Sequence, residues 1–167
     1  MTTPPAPHMA DTDAIFHEMG FTVTNGRLAE AVLYSIARTA ELLTWQLSPL
    51  YKRAGLTPAS FNLLMLLKHG RDVDTLTQHT MGQRLVASAS DMSGLIDRLE
   101  RKGLVRRAPG KDRRSKRLEI TPRGNKVIEQ IWDQHLAAVD ELAKPLSKTE
   151  ATALVHALAR LREGVQP

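Results

Sequence analysis

The sequence predicts a mainly α-helical fold with one small β-hairpin, on three observations. Apolar residues recur at three- and four-residue steps, as in Leu28, Val32, Leu33, Ile36, Leu43 and Leu47, the spacing that builds one face of a helix. Helix starts are written as Thr-Pro at 57–58 and 121–122 and as Ser-Lys-Thr-Glu at 147–150. A hydroxyl at the N-cap accepts from a free backbone N–H, and proline suits the first helical position. One stretch breaks the rhythm: LVRRAPGKDRRSKRLEIT, residues 104–121, has two short strand-like runs about a Pro-Gly turn, a hairpin signature.

The elements follow in order. Residues 1–22, opening with MTTPPAPHMADTD, read as a disordered or partly helical segment, with a helical turn from Thr12 to Met19. Residues 23–56 form a long first helix, expected to belong to a dimerisation region, that Pro49 should kink or end and that closes at Gly55. Residues 57–124 form the next lobe. Thr57 caps a helix that is apolar nearly all round through Phe61, Leu63, Leu64, Leu66 and Leu67, so it should be central, and it stops at Gly70. A short helix from Gln78 to Leu85 is separated by only VAS from another that starts at Ser88, runs through Met92, Leu95, Ile96 and Leu99, and stops at Gly103. Two helices joined so tightly are a helix-turn-helix. The hairpin comes next, with strands expected at 104–107 and 115–121. Residues 125–167 hold two closing helices with long apolar stripes, which serve either as intramolecular core or as a dimerisation region.

Composition sets the bounds on function. A chain of 167 residues with 42% hydrophobic content suits one domain with a sizeable core. It has no cysteine, which removes disulfides, thiolate metal sites and thiol redox switches. No apolar run approaches the roughly 20 residues of a membrane span, and the start lacks a signal-peptide layout, so the expected location is the cytoplasm with no membrane partner. No G-x-S-x-G, H-E-x-x-H or phosphate loop is present, so an enzyme is not expected. No His pair stands at i, i+4 spacing, and neither a metal nor another cofactor is expected. His69 should lie at a helix C-terminus, and His135 on the apolar side of its helix reads as a core or interface histidine.

Charge is the most directional observation. The net charge is +5, yet the segment from Arg101 to Arg117 carries nine Lys or Arg against the single acid Asp112, so the rest of the chain is acidic. Such a concentrated patch is either a solvated face or the footprint of a phosphate-backbone binder. A helix-turn-helix followed by a basic hairpin is a winged helix-turn-helix. In DNA-binding versions one helix enters the major groove while the hairpin, the wing, reaches phosphates or the minor groove. A loop can reach a groove, which explains charge placed at its tip.

These residues resemble the MarR family of winged-helix transcriptional regulators. The family's wing pattern, D-x-R, five residues, an aliphatic residue, T-x-x-G, is met at Asp112, Arg114, Ile120, Thr121 and Gly124. GLIDRLERKGLVRR upstream is similar to the family's recognition-helix end and wing entry, and the order of elements matches over about residues 25–163. The resemblance implies that Arg114 enters the minor groove while Asp112 braces it. A carboxylate two residues from a guanidinium can hold it in a bidentate pair and lower the entropy lost on docking. Lys111 and Arg113 are expected on phosphates. On the recognition helix, Ser88, Ser90, Asp91, Ser93 and Arg98 are the expected DNA-facing residues, with Ala89 and Gly94 beside them. Gly94, which weakens a helix, and the acids Asp91 and Asp97 depart from what a base-reading helix would be expected to carry.

The expected function is therefore a sequence-specific regulator of double-stranded DNA, a repressor that binds an inverted repeat as a homodimer. The family resemblance further implies release by a small aromatic or phenolic ligand, for which Trp45, Phe61 and His69 are candidate contacts. The alternative is a winged-helix DNA-binding or architectural protein with no small-molecule response.

Overall fold

The computed structural model describes residues 9–22, 27–70, 78–85, 89–109 and 116–165. The elements run α1 (Met9–Glu18), α2 (Leu28–Arg53), α3 (Pro58–His69), α4 (Gln78–Leu85), α5 (Ala89–Arg101), β1 (Val105–Pro109), β2 (Lys116–Ile120), α6 (Pro122–Ala143) and α7 (Lys148–Glu163). Among the described residues no helix is long and apolar enough to cross a membrane. The chain divides into two compact units, Met1–Gln46 and Leu47–Pro167.

In the first unit α1 begins before the expected Thr12 and forms a full helix. Phe16 is its anchor, buried with Ala31. The Phe16 ring meets Tyr34 edge-on at 5.5 Å, Phe21 lies 5.6 Å from the Tyr34 ring, and Arg38 donates to Glu18 at 3.1 Å. Edge-to-face aromatic contacts of this kind add to the burial they accompany.

In the second unit the core is built on α3, whose Leu63 and Leu64 are fully buried, with Met81 from α4, Met92 and Leu99 from α5, Val105 from β1 and Ile128 from α6. The cap at Thr57 is as expected: its hydroxyl accepts from the Ser60 N–H at 3.1 Å, and Pro58 follows. Pro49 does not end α2, which runs on to Arg53. An interior proline costs about 3 kcal/mol or more. Leu50 and Tyr51 directly after it are buried in the core and hold the last turn in place. That turn closes in a Schellman motif, with Gly55 at φ 71° and the Leu56 N–H donating to the Tyr51 carbonyl at 2.8 Å.

The hairpin is antiparallel, with Val105 opposite Ile120, Arg107 opposite Leu118 and Pro109 opposite Lys116. Its first strand lies further toward the tip than expected, because Pro109 ends β1 instead of starting the turn. A proline that lacks an N–H is tolerated at the end of an edge strand. The last helix opens on a complete capping box: Glu150 N–H donates to the Ser147 hydroxyl at 3.3 Å, and Ser147 N–H to the Glu150 carboxylate at 2.8 Å. Helix α7 contains no buried residue.

Candidate nucleic-acid interface

Helix α5 has two chemically distinct faces. Met92, Leu95, Ile96 and Leu99 are buried, whereas Ser90, Asp91, Asp97, Arg98 and Arg101 are exposed. Ser93 and Gly94 are half-buried at the margin. The structure thus brings Ser90, Asp91 and Arg98 onto one accessible stripe; Ser88 lies outside the described residues. A Cβ on Gly94 would meet nothing tighter than the Arg98 guanidinium at 3.5 Å. The glycine therefore leaves a shallow place on the stripe, bordered by a cation.

The passage from α5 into the hairpin is fixed by backbone chemistry. Gly103, at φ 67°, ends α5 in a second Schellman motif: its N–H donates to the Glu100 carbonyl at 2.8 Å, and the Leu104 N–H to the Leu99 carbonyl at 2.9 Å. Thr121 fastens the other end of the hairpin to this turn. Its hydroxyl donates to the Gly103 carbonyl at 2.7 Å and accepts from the Gly124 N–H at 3.0 Å, which caps α6. Gly124 is required by packing, since a Cβ there would run into the Leu104 carbonyl oxygen and stand 2.8 Å from Ile120 Cγ1. The T-x-x-G half of the wing pattern is a structural latch.

The basic segment is not a uniform patch. Lys102 donates to the Gly55 carbonyl at 2.5 Å, at the C-terminal end of α2 where cations are favoured. Arg106 and Arg117 both pair with Glu119, Arg106 at 2.7 Å. Arg107 reaches back to α5, to Asp97 at 2.6 Å and to Glu100. The hydrogen bond that Arg107 donates to the Asp97 carboxylate raises the guanidinium pKa above its ordinary value. Asp97, an unexplained acid on the DNA-facing side in the sequence, thus has a partner. Arg98 and Arg101 form no ion pair among the described residues. The wing-tip residues Lys111, Asp112, Arg113 and Arg114 lie outside the described residues.

A second cluster lies in the same unit, on α2, α3 and α6. The Tyr51 and Phe61 rings stack at 4.5 Å, Phe61 lies 4.7 Å from His135, His135 lies 5.5 Å from Trp132, and Trp132 lies 6.2 Å from His69. Tyr51 and His135 share a hydrogen bond of 3.2 Å. Burial pushes the His135 pKa down and the Tyr51 pKa up, so both are neutral at pH 7. With the imidazole proton on Nε2, the phenol donates to Nδ1. Of the sequence-derived ligand candidates, His69 lines a cleft of 230 Å³ together with Lys68, Glu129, Trp132 and Asp133. Phe61 is a core residue at 4% exposure, and Trp45 is 69% exposed on the part of α2 that belongs to the first unit. Sequence reasoning expected a nearby Lys or Arg, the place Lys68 takes beside His69, but left out Tyr51 and Trp132. The recurrence of Trp132 and His135 on one side of α6 was the available signal.

A model of the MarR family matches residues 54–115, from the end of α2 into the wing. The HTH-type transcriptional regulator MhqR of Bacillus subtilis is 32% identical over 108 residues, covering 64% of this chain and 72% of that protein. Among solved structures, Sco3205 of Streptomyces coelicolor, a MarR family regulator solved in complex with DNA, superposes with a TM-score of 0.74 at 25% identity, over 87% of this chain and 94% of that one. The MepR–DNA complex of S. aureus shares the fold, with a TM-score of 0.70 at 22% identity over 80% and 95%. With its helix-turn-helix, its latched wing and these relatives, the chain belongs to the MarR family of transcriptional regulators, a family of regulators and not of enzymes.

Proposed function

We propose that this chain is a cytoplasmic repressor that binds an inverted-repeat operator in double-stranded DNA as a homodimer and releases it when a small aromatic or phenolic ligand binds. The carrying observation is the accessible stripe of α5, with Ser90, Asp91, Gly94, Arg98 and Arg101, joined by a three-residue turn to a basic hairpin. A helix with small residues in its first turn and arginines further along can approach base edges and also bind phosphate or guanine. The DNA complex of the Sco3205 relative supports the same reading. On the proposed reading Arg114 of this chain enters the minor groove braced by Asp112, while Lys111 and Arg113 take phosphates.

The homodimer is supported by apolar surface left exposed among the described residues. Helix α7 buries nothing, and Leu136, Val139, Leu154, Val155 and Leu161 stand exposed on α6 and α7. Exposed apolar surface of this extent marks an interaction site, and a two-fold dimer presents two recognition helices to half-sites about 10 bp apart. The ligand reading is supported by the Trp132 face in the cleft with His69 and Lys68, a site that suits a single ring. Lys68 already pairs with Glu129 at 2.9 Å, so an acidic ligand would compete with that carboxylate.

Selection of bound duplexes from a random pool, with sizing of the complex, tests the DNA and dimer readings. Enrichment of an inverted repeat bound by two protomers is expected; uniform, salt-labile binding overturns the sequence-specific reading. Release of the enriched duplex by phenols or aromatic carboxylates, lost on Trp132→Ala, is expected for the ligand reading. No release by any of them leaves the DNA-binding module without a small-molecule response.

A further inference from the structure

Helix α5 is an unusual surface to offer to a polyanion. It carries the acids Asp91, Asp97 and Glu100 against only Arg98 and Arg101. Two of these acids converge on one side chain of the hairpin. Arg107 donates one guanidinium nitrogen to Asp97 at 2.6 Å and the other to Glu100, and its backbone N–H also donates to Glu100 at 3.2 Å. Strand alternation accounts for the direction. Arg107 shares a hairpin face with Val105 and stands opposite Leu118, both buried, whereas Arg106 and Glu119 lie on the other face and pair with each other. The guanidinium fork matches two carboxylates on successive turns of a helix, and a lysine ammonium, a point charge, would not.

We propose that Arg107 is a positioning residue for DNA recognition: it clamps the wing to the recognition helix through Asp97 and Glu100, so that the two DNA-contacting elements meet the duplex at a fixed separation. The proposal rests on the DNA-binding reading above. Gly103 and Thr121 already tie the base of the hairpin, but both lie at its root. Arg107 is two residues further along β1 than Val105, toward the tip, so it restrains the strand pair that carries the tip. On this view Asp97 and Glu100 serve the geometry of the site, and their charge is offset where they stand.

The test separates a clamp from a plain charge effect by its readout. The probe is a duplex enriched from a random pool by the unsubstituted protein, and the quantity is the ratio of its affinity to that of a scrambled duplex. Arg107→Gln should lower this ratio about tenfold, as expected when a coupled network is cut. Asp97→Asn with Glu100→Gln should lower it similarly, although removing two negative charges tightens non-specific binding. The three substitutions together should lower it no further, and Arg107→Lys should fall between. If Arg107 is simply a phosphate contact, or the acids simply repel DNA, affinities for both duplexes shift together and the ratio stays constant, which overturns the proposal. Amide exchange of the free protein provides a measurement that needs no DNA. Exchange in β1 and β2 should speed up about tenfold in both sets of variants while α3 and α6 keep their protection. Unchanged exchange in the hairpin overturns the clamp whatever the DNA result. A ratio of one in the unsubstituted protein would count against sequence-specific binding and leave the exchange result to judge the clamp.

Discussion

The hydroxyl of Thr121 donates to the carbonyl of Gly103 across 2.7 Å, tying the residue that starts α6 to the glycine that ends α5. The same oxygen caps α6. Thr121→Val keeps the shape and removes both bonds. It should cost about 1–2 kcal/mol of unfolding free energy, while Thr121→Ser costs only a few tenths. Urea unfolding of the two variants checks this; equal losses would show that the methyl group matters more than the hydroxyl.

Gly124 should be less forgiving. Its missing side chain is the space taken by the Leu104 carbonyl and Ile120, and Gly124→Ala is expected to cost about 1–3 kcal/mol through overpacking. Thermal melting would show the loss, and a normal Tm would mean the hairpin and α6 can move apart at little cost.

Gly94→Ala should do the opposite to stability and harm to binding. The added methyl meets only the Arg98 guanidinium at an ordinary 3.5 Å, so the helix gains about 1 kcal/mol from the better helix former. If the glycine serves close approach to DNA, affinity for the selected duplex falls in the same variant. Stability and binding measured on one preparation should move in opposite directions.

The Tyr51–His135 pair predicts a pH dependence with a definite sign. Burial holds the folded His135 pKa below its unfolded value, which is about 6.5. Above that pH the imidazole is neutral in both states and its contribution to stability is fully present. As the pH falls below it, the unfolded chain takes up a proton that the folded chain resists, and stability declines until the folded pKa is passed. Tm followed from neutral to mildly acidic pH should show this decline, and His135→Gln should remove that component. Tyr51→Phe should lower stability by about 1 kcal/mol by leaving a half-buried acceptor without its donor.

At the wing tip, Arg114→Ala should weaken binding with little change in Tm. Lys111→Gln should reduce the salt slope of binding by about one, alike for selected and scrambled duplexes. A sequence-selective effect of Lys111→Gln would reverse the roles given to these two residues.

Much of the architecture is legible in the sequence because it depends on neighbours along the chain. The caps at Thr57, Thr121 and Ser147 and the left-handed stops at Gly55 and Gly103 follow from hydrogen bonds within a few residues. The two faces of α5 follow from helical period. Pro49 alone leaves open whether α2 kinks or ends; what keeps α2 helical beyond it is the burial of Leu50 and Tyr51 against distant residues.

The sequence by itself thus determined the order of elements, the apolar face of the recognition helix and the position of the basic segment. Only the tertiary structure decided which of its charges are available. Lys102 is held by a carbonyl 47 residues away and Arg107 by two acids on α5. A formal charge is a property of one residue, but its availability to a ligand depends on what folding brings within about 3 Å of it, and no local periodicity encodes that.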